Sequence, residues 1–331
     1  YKAGMLYQIP NIEFNLKFIS EKKKTQISQI KPHKQTLLIP TRIYANFINS
    51  GLNFFEELLP YVKNLSELIE HDKFYECQNK TNARLNRKIF AGLVKRNSLE
   101  PFFDKYNVGN CQRVLFFLQA VQTLGGLLII CFSGMRRSEA LNLNYQSYQE
   151  LKRRDLHSAW ILKGTTSKFT QVGSVATTWI TSIVIDKVIQ SLQGIAAIHK
   201  IWSEHKGNPI DLDIDQYPLF PSFAVKHEKA FHPIFNMPLG AIIENHNAIY
   251  RIIEPIVFSE EDLQELMTFN PLINWLEEYK IEIGKPWKFL PHQFRRSLTV
   301  YCARSGLVKI PTLKHQLKHI SFDMTLYYGK N

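Results

Sequence analysis

The sequence predicts a mainly α-helical protein with one small antiparallel β-sheet. Three observations lead there. Apolar residues recur at helical period through most of the chain from Ile39 onward. One pair of runs departs from that period: LHSAWILKG and SVATTWITSIVI are rich in β-branched and aromatic residues and flank the polar turn TTSKFTQVG, the pattern of a hairpin. The composition is globular, with 331 residues of which 45% are hydrophobic and 21% charged. That length suffices for two domains, each with its own core.

Taken in order, residues 1 to about 35 carry Lys22, Lys23, Lys24 and the run KPHK and read as a solvated basic loop. From Ile39, IPTRIYANFINSGLNFFEELLPYV reads as a helix opened by Pro40 and Thr41 and closed near Pro60. NLSELIEHDKFYE follows as a second helical segment. NARLNRKIFAGLVKRN then gathers Arg84, Arg87, Lys88, Lys95 and Arg96, the first three on one helical face by their spacing. Such a face fits phosphate contact and a plain solvated surface equally well. The stretch 97–109, with Pro101, Asn107 and Gly109, marks a domain boundary, giving residues 1–108 and 109–331. Beyond it CQRVLFFLQAVQTLGGLLIICFSG reads as one or two buried helices, followed by SGMRRSEALNL, the hairpin and the helical run VIDKVIQSLQGIAAIHKIW. Residues 203–238 look irregular, and helices are predicted at 239–252, 260–280, 291–305 and 312–319.

The net charge of +12 favours a polyanionic partner. The cysteines Cys77, Cys111, Cys131 and Cys302 form no C-x-x-C and are too scattered for a disulfide scaffold or a zinc knuckle. A reducing, cytoplasmic setting is expected from that. The longest uninterrupted apolar run, LGGLLIICF at 124–132, is too short to span a bilayer, so no membrane partner is expected. No signal-peptide pattern is seen, and because the chain opens at Tyr1 rather than Met, a fragment of a longer protein is expected.

Certain residues suit phosphodiester chemistry without a metal, which needs cations around the phosphate, a nucleophile and an acid for the leaving oxygen. Arg136 lies in G-x-R-x-x-E, where Glu139 falls three residues on and can hold the guanidinium. His292 and Arg295 are likewise three apart behind Pro291, a helix-start signal that projects both from a first helical turn. His319 can donate a proton to a phosphate oxygen. Tyr328 is a nucleophile only beside a base or cations, because a free phenol has a pKa of about 10; His292 is the candidate base. Taken singly, each of these residues has an ordinary structural reading.

In combination and order they resemble the tyrosine recombinases, the DNA-cutting and rejoining family of phage integrases. The resemblance covers roughly residues 110–331. LKHISFDMTLYY is similar to the family's L-G-H-x-S, T-T and Y run, with Lys318 where the family commonly has glycine, a departure that bears on the local turn. Tyr328 stands nine residues beyond His319, the family's interval, and is preferred to Tyr327. The resemblance implies a helical core-binding domain followed by a catalytic domain. It implies catalytic roles for Arg136, Lys168, His292, Arg295, His319 and Tyr328, with Glu139 in support. Lys168, in the hairpin turn, would be the general acid, and Lys163 is the alternative.

It further implies double-stranded DNA as substrate and cleavage through a 3′-phosphotyrosine without cofactor, metal or ATP. A homotetramer on synapsed sites, monomeric without DNA, and a prokaryotic or phage mobile element as source are also implied. The interval from Lys168 to His292 is longer than the family's, so an insertion is expected within 203–280. A catalytically silent DNA-binding relative and a type IB topoisomerase-like or resolvase enzyme would share these residues. A metal-dependent nuclease is disfavoured by the scarcity of clustered ligands.

Overall fold

A long-range cap fixes the first described helix, α1 (Thr41–Leu58). Pro40 precedes it and can cap nothing with its side chain, so the cap comes from elsewhere in the chain. The Glu265 carboxylate accepts from the Thr41 amide at 3.0 and 3.1 Å and from its hydroxyl at 2.9 Å. A carboxylate there both satisfies orphan N–H groups and complements the helix dipole. Arg42 reaches the same partner helix through Asp262 (Nε to Oδ1, 3.1 Å).

The computed structural model describes residues 35–77, 82–153, 156–166, 174–207, 209–223 and 248–319. Lys22, Lys23, Lys24, Lys168, Tyr327 and Tyr328 lie outside the described residues, as does most of the helix expected at 239–252. After α1 come α2 (Val62–Glu70), α3 (Asp72–Glu76), α4 (Ala83–Arg96) and α5 (Glu100–Lys105). Asn82 begins α4, its side chain accepting from Leu85 N at 3.1 Å.

The centre is α6 (Cys111–Ser133), one continuous helix of 23 residues. Asn110 caps its start by accepting from Arg113 N at 2.8 Å, and Gly134 ends it in the left-handed conformation, φ +68°. The helix is long and apolar enough to cross a bilayer, yet most of it is buried against protein. Helix α1, helix α8 (Asp186–His205) and helix α11 (Pro291–Arg304) pack on it. The helices approach closely where side chains vanish: a Cβ on Gly194 of α8 would sit 2.2 Å from the Val62 side chain of α2.

The sheet has three strands, in the order β1 (Tyr148–Arg153), β2 (Leu156–Thr166) and β3 (Val175–Thr181), all antiparallel. The hairpin lies where its sequence places it. Strand β1, YQELKR, is an addition: its polar sequence carries no strand signal, and it is an edge strand. The β3 run also stops early, at Thr181. Ser182 accepts from Val184 N at 3.2 Å and turns Ile183–Ile185 into a 3-10 turn that leads into α8.

Beyond α8 the described chain holds short turns, then α9 (Glu260–Phe269), α10 (Trp275–Tyr279), α11 and α12 (Ile310–Gln316). The single helix expected over 260–280 is therefore two. Pro271 is the reason: it disfavours helical backbone at Asn270, which adopts φ −152°, ψ 102°. The described part of Leu38–Asn331 forms one compact unit, and position 108 lies within it, between α5 and α6.

The cysteines depart from expectation. Cys77, just after α3, and Cys111, at the start of α6, form a disulfide across 34 residues of sequence. The scattered spacing did not announce this bond, because pairing follows approach in space. Their number and spacing therefore give no argument for a reducing compartment. Cys131 is free and buried, as its apolar surroundings require.

Candidate active site

The site is built at the C-terminal end of α6, where the chain leaves the helix through Gly134. That residue must be glycine for two reasons. Its φ is left-handed, and a Cβ would stand 2.9 Å from Leu317 Cδ2 and 3.1 Å from Leu298 Cδ2. Its carbonyl accepts a hydrogen bond from Arg295 Nη1. The next turn of chain holds Arg136, whose conformation is extended, immediately before the short helix α7 (Arg137–Leu141).

Arg136 and Glu139 meet, though not as neighbours on a helix face. Arg136 precedes the helix, and Glu139 reaches back as a capping carboxylate. One of its oxygens accepts from the Arg136 amide at 2.7 Å and the other from Arg136 Nη1 at 2.7 Å. Thr166 Oγ1, at the end of β2, donates to the same carboxylate at 2.8 Å. Glu139 is thus buried with three bonds, a state that a lone carboxylate would not tolerate.

Helix α11 supplies the second arginine. Pro291 stands at its first position, as read from the sequence, and His292 and Arg295 follow on successive turns. Arg295 is only 2% exposed, and its fork donates to two backbone carbonyls, Gly134 and Leu317. Helix α12 ends at Gln316, and the chain then turns through Leu317, Lys318 and His319. Arg136 Nη2 donates to the Lys318 carbonyl at 3.3 Å. Consecutive carbonyls of one turn therefore hold the two arginines, and His319 comes next in the chain.

Lys318 adopts φ +53°. The turn expected of a glycine is kept by a lysine, and the side chain, 4% exposed, lies with Nζ 5.3 Å from the centre of the Trp179 ring. Gln316 fastens the same turn to the sheet and to α6. Its Nε2 donates to Ser133 O (2.6 Å) and Ile180 O (2.9 Å), and its Oε1 accepts from Ile180 N (3.1 Å).

The cationic surroundings set the histidines' protonation. Burial first, then Arg295, Arg136 and His292, pulls the His319 pKa down to about 4. His292 keeps part of its surface in solvent, but its pKa is also lowered, by packing and then by Arg295, Arg136 and Arg296. Both rings are neutral at pH 7, so each offers one N–H donor and one acceptor nitrogen.

Arg136, Glu139, His292, Arg295 and His319 are thus brought together. Lys163 is not among them. Leu162 and Thr166 are buried along β2, whereas Lys163 is exposed. Thr166, Gln316, Trp179 and Gly134 are parts of the site that sequence reasoning passed over. Gly134 had a signal, a glycine closing a long helical pattern; the other three had none.

The remaining candidates lie apart, on α4. Arg84, Arg87, Lys88, Lys95 and Arg96 are all exposed, and the helix has no acidic residue. At 100° per residue Arg84, Arg87, Lys88 and Lys95 fall in one stripe, with Arg96 turned aside to His71 Nε2 at 3.0 Å. Among the described residues no group of three or more His, Cys, Asp or Glu stands together as metal ligands would. A cavity of about 680 Å³ beside the N-terminal half of α6, lined by Arg113, Phe116 and Arg251, is separate from the arginine cluster.

The chain matches no family model and no curated protein. Among solved structures it is similar to the XerH site-specific recombinase bound to difH substrate in a pre-cleavage complex, at 14% identity and a TM-score of 0.29. That match covers 65% of this chain and 48% of the recombinase. The post-cleavage complex of XerH with palindromic difH substrate matches at 14% identity and a TM-score of 0.31, over 65% and 47% of the two chains. The chain thus spans about half the length of these structures. The case for the site's chemistry rests on its own residues.

Proposed function

We propose that this protein is a tyrosine recombinase that cuts and rejoins DNA at specific sites. The observation that carries this reading is the turn at Leu317–His319. It holds Arg295 and Arg136 by consecutive carbonyls and presents His319 beside them. Two fixed guanidiniums with two neutral imidazoles form a receptor for a phosphodiester whose charge grows in the transition state.

In this reading the Tyr328 phenol loses its proton to the His292 ring, and its oxygen attacks the DNA phosphorus. The bond from phosphorus to the 5′ oxygen breaks, Lys168 protonates that oxygen, and a 3′-phosphotyrosine remains. A 5′-hydroxyl of another strand then attacks the phosphotyrosine and restores both tyrosine and backbone. The ester is conserved throughout, so neither ATP nor a metal enters the balance. The exposed basic stripe of α4 contacts the DNA backbone, and four protomers assemble on two synapsed sites. The protein serves a mobile element of prokaryotic or phage origin.

The test uses duplex DNA from the ends of the encoding element, nicked beside the cleavage point so that a short fragment diffuses away. Wild type in EDTA is expected to give a covalent protein–DNA adduct on a denaturing gel, and Tyr328→Phe none. An adduct that survives in Tyr328→Phe moves the nucleophile elsewhere. A site that is bound but never joined to protein leaves the silent DNA-binding relative.

A further inference from the structure

We propose that Lys318 is a positioning residue that locks the arginine clamp to the β-sheet, and that the site's hold on a phosphate depends on it. The inference rests on the recombinase reading of the site, and it concerns a residue at which the chain departs from the family's glycine.

The observations are these. Lys318 occupies a left-handed backbone conformation, φ +53°, which a glycine adopts freely and a lysine does not. An exposed lysine would gain nothing there, but this one is buried, with its ammonium over the Trp179 ring of β3. Trp179 is itself fully buried and pairs across the hairpin with Leu162. Two residues earlier, Gln316 grips the neighbouring β3 residue, Ile180, by its backbone N–H and carbonyl. The turn is therefore pinned to β3 at two adjacent points, and between and beside those pins lie the carbonyls that hold Arg295 and Arg136.

The left-handed residue sets the direction in which those carbonyls point. Whatever holds residue 318 in place sets the separation of the two guanidiniums. The charge of Lys318 adds to this: the Glu139 carboxylate favours its ammonium, while burial alone lowers its pKa. The same carboxylate is the partner of Arg136. Removing the side chain both frees the turn and leaves Glu139 with one cation fewer.

Orthovanadate, which accepts the trigonal-bipyramidal geometry of a phosphate under attack, is the probe. Its affinity is measured by calorimetric titration for wild type, Lys318→Gly, Lys318→Met, Lys318→Arg and Arg136→Ala, with melting temperature recorded for each. Lys318→Gly relieves the backbone and is expected to melt no lower than wild type while binding vanadate at least tenfold more weakly. Lys318→Met is expected to lose affinity similarly, and Lys318→Arg, which restores a cation over the indole, to recover most of it. Wild-type affinity in Lys318→Gly, with Arg136→Ala impaired, overturns the role of Lys318 and leaves the clamp standing. A wild type that takes no vanadate overturns both.

Discussion

The cations at the end of α6 and those along α4 are chemically alike and structurally opposite. Arg295 is buried, bonded through its fork to two backbone carbonyls, and Arg136 is tied to Glu139 and to the 318 carbonyl. Arg84, Arg87, Lys88 and Lys95 stand in solvent on a helix with no acid. A buried, multiply bonded guanidinium cannot follow its ligand, so the ligand must come to it; such a group suits a reacting phosphate whose position matters to a fraction of an ångström. An exposed one follows any phosphate and gives affinity without geometry. Charge alone, +12 over the chain, does not separate these roles.

That contrast orders the consequences of mutation. Arg295→Met is expected to have the largest effect on the fold, about 3 kcal/mol or more. It strands the Gly134 and Leu317 carbonyls where water does not reach. Urea unfolding measures this, and a loss below about 1 kcal/mol would show that Arg295 is not structurally tied.

A pH effect follows next. His319 and the buried His199, which bonds Tyr217 Oη at 2.7 Å and the Ser222 carbonyl at 2.9 Å, both have pKa values lowered to about 4. The unfolded chain protonates these rings near 6.5 while the folded chain does not. Stability is therefore complete above pH 6.5 and falls as pH drops toward about 4, by about 3 kcal/mol for His199 alone. Melting temperatures across pH 4–7 that stay flat would contradict the neutral, enclosed state of both rings.

The smallest effect on the fold belongs to α4. The double change Arg87→Ala with Lys88→Ala should shift stability by less than about 0.5 kcal/mol. It should weaken DNA binding and lower the slope of log affinity against log salt by about 2. An unchanged salt slope would show that this face makes no phosphate contacts.

How far these two regions were legible in the sequence differs for the same physical reason. The α4 stripe follows from helical spacing alone, and exposure adds little to it. Helix α6 announced itself by its apolar run, which reads as one or two buried helices. Pro291 likewise marked the start of α11. The arginine cluster was legible only as a list of residues: that Arg136 and Arg295 share one turn depends on carbonyls 182 and 22 residues away, which no local pattern encodes. Strand β1 was hidden because an exposed edge needs no apolar alternation. The Cys77–Cys111 bond was hidden because distance in sequence says nothing about distance in space. Lys318 was legible as a departure from the expected glycine, but its burial against Trp179 was not.

In the proposed reaction the two arginines act as one device on one phosphate. The direct measurement is a double-mutant cycle in the single-turnover rate of covalent adduct formation on the nicked duplex, with Arg136→Lys, Arg295→Lys and both together. Lysine keeps the charge and loses the fork, so each single change is expected to slow the reaction by about 100-fold. If one turn fixes both, misplacing either releases the phosphate, and the double variant will be no slower than the slower single one, within about threefold. Rate losses that multiply, to roughly 10⁴-fold in the double variant, would mean that the arginines act independently, and would contradict the account.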